Sequence, residues 1–326
     1  MRAILLVLYL GVAAAADRLP GLSVDPAGVT VSGVSSGGYM AVQMHVAHSS
    51  RVKGAGVLAG GPYYCAQGGL WTAYYNCMTP SAWTPLPSVD VLKSHADLFA
   101  GNGRIDATSH LAAARVWLFS GTRDHTVDPA VVEALGRFYA LYKAPLVIVK
   151  DKPAGHAMVT EDSGSDCGVT RAPYINDCDY DAAGELLKHL LGNLSPPAAK
   201  LAGHIVSFDQ KEFADGDARA ISMADTGYAY VPAACTGAKC RLHVAFHGCR
   251  QSAQAVGERF IREAGYNRWA DTNRLIVLYP QTIARYWLLW NPRGCWDWWG
   301  YTDQNYATKT GPQLAAVWRM IERLAE

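Results

Sequence analysis

A glycine-flanked serine near the start of the chain constrains the fold most. Residues 33–38 read Gly-Val-Ser-Ser-Gly-Gly, which fits the G-x-S-x-G pattern of a nucleophile elbow, a sharp turn that joins a strand to a helix. The β-branched run 28–32 before it favours a strand, and the mainly apolar segment 36–48 after it favours a helix. A Gly/Ser turn without chemistry is the alternative, but these flanks favour an elbow with Ser35 as the nucleophile.

The position of this elbow is unusual. Residues 1–16 carry the charged Arg2 near the start, continue as an apolar run and end in alanines. This pattern is typical of a secretory signal peptide cleaved after Ala16. The apolar run is too short to span a membrane. The remaining chain, residues 17–326, then has no room before the elbow for the strands that usually precede it in an α/β-hydrolase. Those strands must be absent or lie elsewhere in the chain.

The composition is that of an exported globular protein. Half of the 326 residues are hydrophobic, which argues against disorder and is ample for a buried core. The net charge of +1 gives no indication of nucleic acid or an anionic membrane as a partner. Eight cysteines without C-x2-C spacing favour disulfides over a zinc site. Local spacing suggests the pairs Cys65–Cys77, Cys167–Cys178 and Cys235–Cys240, which leaves Cys249–Cys295.

Strands and helices alternate along most of the chain, which predicts a mostly parallel sheet covered by helices on both faces. The aromatic, cysteine-containing segment 63–87 is expected to run over the surface, and its composition leaves open whether it forms a lid. The predicted strands are 52–60, 114–120, 145–150, 204–208, 227–231, 241–246 and 275–279, and the further helices are 88–99, 129–142, 181–191, 252–272 and 313–325.

A serine nucleophile needs a base and an orienting acid, which follow it in the order acid, histidine in an α/β-hydrolase. Asp124 lies just past the predicted strand 114–120, where a loop can project it toward Ser35. Asp128 is the rival acid, but it directly precedes a proline and a predicted helix, so capping that helix is its natural role. The sequence therefore favours Asp124.

His156 is the predicted base. It follows the strand 145–150, and Gly155 before it suits a tight loop that aims the ring. Of the ten histidines it alone stands at the required place in the order of elements. His45 and His48 are three residues apart on a predicted helix, but no carboxylate pattern accompanies them, so we expect no metal site there.

The oxyanion hole requires two N–H groups aimed at the developing negative charge. One is expected from Ser36, the residue after the nucleophile. The other normally comes from a His-Gly loop after an earlier strand, and here that loop comes late, where strand 241–246 leads into His247, Gly248 and Cys249. The chain is therefore predicted to be a circularly permuted α/β-hydrolase with the Cys249 N–H as the second donor. Neither a metal nor an organic cofactor is required.

A cluster of aromatic residues between 286 and 301 gives the best indication of the substrate. Five indoles so close together are hard to bury completely, so we expect some to line an exposed apolar groove. A packed aromatic core under a long loop is the alternative. The cluster consists of Tyr286, Trp287, Trp290, Trp296, Trp298, Trp299 and Tyr301.

With these residues in place, the chain resembles the poly(3-hydroxybutyrate) depolymerases whose catalytic domain is a circularly permuted α/β-hydrolase. The matching segments are VSGVSSGGYMA, GTRDHTV, AGHAM, HGC, YPQ and NPRGCWDWWGY, in the family's order between Val31 and Tyr301. The resemblance implies hydrolysis of a short-chain 3-hydroxyalkanoate polyester or its oligomers through an acyl-serine. It also implies that residues near the cleft contact the ester chain, and the candidates are Trp296, Trp298, Trp299 and His247.

Many secreted members of this family carry a separate polymer-adsorbing domain, whereas this sequence stops at Glu326 after its last predicted helix. We therefore expect one catalytic domain, residues 17–326, in a protein exported to the periplasm or the medium that acts on amorphous polymer or soluble oligomers. The sequence does not decide the oligomeric state, and a monomer is the expectation. A feruloyl or acetyl esterase would use the same triad, and a non-catalytic binding protein of this fold is the third alternative.

Overall fold

An eight-stranded sheet covered by helices forms the body of the protein. The computed structural model describes residues 17–286 and 290–326, so the predicted signal peptide, residues 1–16, and Trp287 lie outside the described residues. The strands are β1 (Val29–Val34), β2 (Val52–Leu58), β3 (Arg115–Phe119), β4 (Leu146–Val149), β5 (Met158–Thr160), β6 (Ser165–Asp166), β7 (Ile175–Asp177), β8 (His204–Asp209), β9 (Thr226–Val231), β10 (Arg241–Phe246) and β11 (Leu275–Tyr279). The α-helices are α1 (Ser36–Ala47), α2 (Leu70–Cys77), α3 (Val89–Gly101), α4 (Pro129–Ala140), α5 (Ala182–Leu191), α6 (Ala253–Val256), α7 (Arg259–Glu263), α8 (Tyr266–Thr272) and α9 (Pro312–Ala325).

The strand order places the elbow at the centre of the sheet. The order is β4-β3-β2-β1-β10-β11-β9-β8, while β5, β7 and β6 form a small separate sheet. Neighbouring strands are parallel in the series β4, β3, β2, β1, β10 and β11. At the edge beyond β11, β9 pairs antiparallel with β11, and β8 pairs antiparallel with β9. Because β1 and β10 are parallel neighbours, the loops that follow them meet at the same edge of the sheet. The C-terminal half of the chain thus supplies the strands that are missing before the elbow.

Both faces of the sheet are covered, because successive side chains of a strand point to opposite faces. Leu118 of β3 packs in the core on the side of α1 and α9. Its neighbours Trp117 and Phe119 pack on the side of α5 and α8. The predicted mostly parallel sheet with helices on both faces is confirmed.

Two predicted elements differ from the structure. The helix expected over 252–272 is divided into α6, α7 and α8, because Gly257 and Gly265 adopt φ angles of 65° and 89°, which an α-helix does not accommodate. The surface segment 63–87 contains α2, which the sequence analysis did not predict.

The four disulfides are the three pairs that the local spacing suggests and the pair that remains. One of them ties the last residue of α2 to the segment before that helix, and another joins the loop after β10 to the aromatic cluster. The pairs are Cys65–Cys77, Cys167–Cys178, Cys235–Cys240 and Cys249–Cys295. Among the helices of residues 17–286 and 290–326, none combines the length and apolar character needed to cross a bilayer.

Candidate active site

Ser35 lies at the sharp turn between β1 and α1. Its φ of 57° and ψ of −124° are sparsely populated for a residue with a side chain, and such strain is typical of a nucleophile elbow. The turn depends on two glycines, because a Cβ on Gly33 would lie 2.2 Å from the Gly37 carbonyl oxygen. A Cβ on Gly37 would lie 2.3 Å from the Phe246 carbonyl oxygen of β10. The elbow and the neighbouring strand therefore approach each other too closely for any other residue type.

Asp124 and His156 form a buried pair. His156 Nδ1 lies 2.7 Å from Asp124 Oδ2. The second carboxylate oxygen, Oδ1, accepts hydrogen bonds from the N–H groups of Thr126 (2.8 Å) and Val127 (3.0 Å). These bonds fix the carboxylate, which in turn orients the ring and leaves Nε2 as the nitrogen available for proton transfer.

The loops that carry this pair are joined through their backbones. The Arg123 N–H donates to the Ala154 carbonyl (3.1 Å), and the Thr122 N–H donates to the Lys152 carbonyl (2.8 Å). A Cβ on Gly121 would lie 2.1 Å from the Ala154 oxygen, so the loop after β3 packs directly on the loop after β4. This contact between two loops explains how an acid and a base 32 residues apart in sequence meet.

The rival acid Asp128 has a different partner. Its carboxylate accepts a hydrogen bond of 2.8 Å from the Ala130 N–H and caps the N-terminus of α4. The structure thus brings Asp124, rather than Asp128, to the histidine.

The two predicted oxyanion donors lie beside Ser35. Ser36 is the first residue of α1, so its N–H has no acceptor within the helix. The Gly248 N–H donates a hydrogen bond to Gln251 Oε1 at 2.7 Å, whereas no residue of the described chain accepts one from the Cys249 N–H. A Cβ on Gly248 would lie 3.5 Å from that of Ser35, which shows how closely this loop approaches the elbow. The arrangement suits the binding of a negatively charged oxygen.

His247 lies in the interior and does not border a cavity next to Ser35. Its Nε2 accepts a hydrogen bond from the Thr282 N–H (3.1 Å), so Nδ1 carries the proton and donates to the Gly248 carbonyl (2.7 Å). Burial lowers the pKa of His247 to about 4, so the ring is neutral at pH 7. The expected substrate contact does not fit this burial, and the ring instead supports the loop that carries Cys249.

Trp296 also lies in the interior, contrary to the expectation that it contacts substrate. It is fully buried, and its ring packs edge-on against Phe246 with centroids 5.1 Å apart. Its backbone N–H approaches Ser36 Oγ at 3.3 Å. Trp296 therefore forms part of the packing under the elbow.

Two cavities meet at Ser35. The first, the aromatic cavity, has a volume of about 360 Å³, and its border includes Ser35, Tyr39, Trp71, Tyr74, Trp290, Trp298 and Trp299. The second, the histidine cavity, has a volume of about 240 Å³, and its border includes Ser35, His156, Thr170, Tyr174, Arg250, Gln251 and Arg293. One side of the serine is thus apolar and the other is polar.

The aromatic cavity contains two of the predicted substrate residues and two that the sequence analysis missed. Trp298 stacks on Tyr39 of α1 with ring centroids 4.0 Å apart, and Trp299 lies beside it on the cavity border. Trp71 and Tyr74 reach the cavity from α2. The density of aromatic residues in 63–87 was the available signal, but nothing in the sequence placed that segment against the elbow.

The loop that carries the cavity tryptophans is organised by Asp297. Its Oδ1 accepts from the N–H groups of Gly300 (2.7 Å) and Tyr301 (3.0 Å), and its Oδ2 accepts from the Thr302 N–H (2.9 Å). Burial raises the pKa of this carboxyl above its usual value. Within the described residues, no group of histidines, cysteines and carboxylates is arranged to hold a metal ion.

Sequence comparison relates the chain to depolymerases of polyhydroxybutyrate. The chain is 45% identical over 319 residues to a poly(3-hydroxybutyrate) depolymerase of Delftia acidovorans. The aligned residues cover 95% of this chain and 62% of that protein. It is 38% identical to a polyhydroxybutyrate depolymerase of Talaromyces funiculosus, over 95% of this chain and 93% of that protein. This chain therefore spans less than two thirds of the length of the Delftia protein. No family model matches the sequence.

Two solved structures have the same fold. A serine-to-alanine variant of a PHB depolymerase, complexed with an R3HB trimer, superposes with a TM-score of 0.85 at 37% identity, covering 94% of this chain and 98% of that one. The PHB depolymerase from Penicillium funiculosum has a TM-score of 0.84 at 36% identity, over the same shares of the two chains.

Proposed function

Because the chain belongs to the polyhydroxybutyrate depolymerase family, we propose that it is a serine esterase that hydrolyses poly(3-hydroxybutyrate) or short-chain 3-hydroxyalkanoate oligomers. The observation that carries this proposal is the buried Asp124–His156 pair, whose histidine borders the same cavity as the strained Ser35. Such an arrangement of acid, base and elbow serine supports acyl transfer.

In this mechanism Ser35 Oγ attacks the ester carbonyl while His156 Nε2 takes the hydroxyl proton. Asp124 holds the ring and stabilises its charged form. The N–H groups of Ser36 and Cys249 bind the oxyanion of the tetrahedral intermediate. As the carbon–oxygen bond breaks, His156 returns the proton to the leaving alcohol, and the acyl group stays on Ser35. His156 then activates a water that hydrolyses this ester and regenerates the serine.

The aromatic cavity suits an ester chain that carries methyl groups and no charge. Trp71 and Tyr74 border the cavity with exposed rings, while Trp299 is partly exposed there and Trp298 is largely covered by its neighbours. We assign substrate contact to these four residues, because removal of their apolar surface from water would favour binding of the polyester.

The direct test is the release of 3-hydroxybutyrate monomer and oligomers from amorphous polyhydroxybutyrate, measured by chromatography. We expect release by the wild type and a loss of about 10⁴-fold or more in Ser35→Ala, since removal of a triad nucleophile leaves only residual catalysis. Ser94→Ala, at an exposed position on α3, is the matched control. Cleavage of feruloyl or acetyl esters without release from the polymer would identify another carboxylesterase, and no ester cleavage at all would indicate a binding protein.

We also propose that the protein is exported and that residues 17–326 act as one catalytic domain. Four disulfides support an oxidising compartment. A monomer is the simplest form of such a domain. N-terminal sequencing of the exported protein should start at Asp17, and light scattering should give the mass of one chain.

A further inference from the structure

Arg250 and Arg293 are held side by side at the border of the histidine cavity. The Arg250 N–H donates to the Arg293 carbonyl at 2.7 Å, and the disulfide Cys249–Cys295 joins the same two segments. Arg250 has a φ of 59°, in the left-handed region that is unfavourable for a residue with a side chain. The fold therefore brings two arginines together next to Ser35 at a conformational cost.

Neither arginine has an acidic partner within the described residues. Elsewhere on the surface, Arg259 and Arg262 each pair with a glutamate four residues away in sequence. No aspartate or glutamate lies among the described residues that border the histidine cavity. Two exposed guanidinium groups at a polar cavity without a carboxylate favour an anionic ligand, and guanidinium matches the planar carboxylate geometrically.

The chemistry of the ester determines which part of the substrate lies in this cavity. When a 3-hydroxyalkanoate ester is cleaved, the leaving alcohol carries the carboxyl end of the chain. His156, which protonates that alcohol in the proposed mechanism, borders the histidine cavity and is absent from the border of the aromatic cavity. In the proposed mechanism the leaving part therefore lies in the histidine cavity, and the acyl part lies in the aromatic cavity.

The size of the histidine cavity suits a short leaving part. Its volume of about 240 Å³ is smaller than the 360 Å³ of the aromatic cavity, which favours a leaving part of one hydroxybutyrate unit over a long chain. A neighbouring groove of about 400 Å³ is also bordered by Arg250 and Arg293. A carboxylate at the end of a leaving unit of one or two residues would thus lie beside the arginine pair.

On the basis of the proposed function, we propose that Arg250 and Arg293 bind the terminal carboxylate of an oligoester. The pair makes the enzyme favour short substrates with a free acid end over neutral chain segments. It acts in substrate binding and takes no part in proton transfer.

The test compares the 3-hydroxybutyrate dimer as the free acid with the methyl ester of the same dimer. Cleavage of the internal ester is followed by chromatography at pH 7 and low ionic strength. The wild type should favour the free acid by about tenfold in kcat/KM, and added salt should reduce this preference. Arg250→Gln and Arg293→Gln should each bring the ratio toward one, whereas Arg250→Lys should retain part of it because the charge remains.

Arg137→Gln, which removes an exposed charge from α4 far from the cleft, controls for net charge and should keep the wild-type ratio. If the wild type cleaves both dimers equally well, or if the glutamine variants keep the preference, the role of the arginine pair is wrong while the esterase proposal stands. If the wild type cleaves neither dimer nor the polymer, the proposed function fails and the arginine proposal fails with it.

Discussion

The catalytic frame and the aromatic wall of the cleft are held by different kinds of contact. The proposed catalytic frame consists of Ser35, Asp124 and His156 with their loops, and backbone atoms packed against glycines fix it. The aromatic wall consists of Trp71 and Tyr74 on α2 together with Trp298 and Trp299, which border the same cavity. Ring stacking, the Asp297 carboxylate and disulfides position the wall.

This difference matches what each part must do. Acyl transfer requires reacting atoms to be placed within about half an ångström, and backbone contacts around buried side chains supply that rigidity. Binding of a flexible polyester requires mainly apolar area, which aromatic rings at the border of a cavity supply with less precise placement. We therefore expect substitutions in the catalytic frame to reduce kcat and substitutions in the aromatic wall to raise KM.

The largest effect should follow from Asp124→Asn. The amide can no longer stabilise a charged His156 ring or hold it in the required tautomer, and kcat should fall by about 10⁴-fold, or about 5.5 kcal/mol. Asp128→Asn is the matched control, because asparagine also caps a helix well and α4 should remain intact. Steady-state kinetics on a soluble trimer measure both variants. A greater loss in Asp128→Asn would make Asp128 the acid and contradict the frame described here.

The disulfide Cys249–Cys295 tests whether frame and wall depend on each other, because it joins a predicted oxyanion donor to the aromatic cluster. In the chain-entropy account, loss of this 46-residue bridge should lower the free energy of unfolding by about 4 kcal/mol, against about 2 kcal/mol for the five-residue bridge Cys235–Cys240. Urea unfolding of the two double Cys→Ser variants measures this.

Activity separates the two bridges further. The variant without Cys249–Cys295 should also lose kcat, since the loop that carries the Cys249 N–H is no longer tied down. The variant without Cys235–Cys240, a bridge that borders neither cavity next to Ser35, should keep the wild-type kcat. Equal kcat in the two variants would show that the oxyanion loop is positioned by the sheet alone.

Much of the catalytic frame could be predicted from the sequence, because its constraints are local. A glycine is required where two backbones touch, and Gly33, Gly37 and Gly155 therefore appear in short motifs beside the residues that they position. The permuted order of strands was also predictable, since the His-Gly loop follows a recognisable strand.

The aromatic wall could be predicted only in part. Whether a tryptophan faces the cleft or the core depends on residues far away in sequence, as Trp296 against Phe246 and Trp298 against Tyr39 illustrate. Composition alone could not tell that Trp298 borders the aromatic cavity while Trp296 does not. It also could not show that α2 borders this cavity.

A smaller effect should follow from Gly37→Ala, which tests how tightly the frame is packed. The added Cβ would lie 2.3 Å and 2.4 Å from the carbonyl oxygens of Phe246 and His247, so the oxyanion loop must shift. We expect unfolding free energy to fall by about 3 kcal/mol and kcat to fall with it. Gly101→Ala, at the end of α3 and clear of other elements, should lower neither the unfolding free energy nor kcat, since alanine suits a helix better than glycine. Equal stability of the two variants would mean that the elbow has room to relax.

The smallest effect should follow from Trp71→Ala, in the aromatic wall. Trp71 is 70% exposed and borders the aromatic cavity, so we expect substrate to cover it on binding and KM for a soluble trimer to rise about fivefold, or about 1 kcal/mol. Trp83→Ala removes a ring that is 94% exposed and lies outside that border, and it should leave KM unchanged. A large loss of kcat in Trp71→Ala at constant KM would instead place α2 in the catalytic frame. Affinity and rate would then depend on the same contacts, and the distinction between frame and wall would fail.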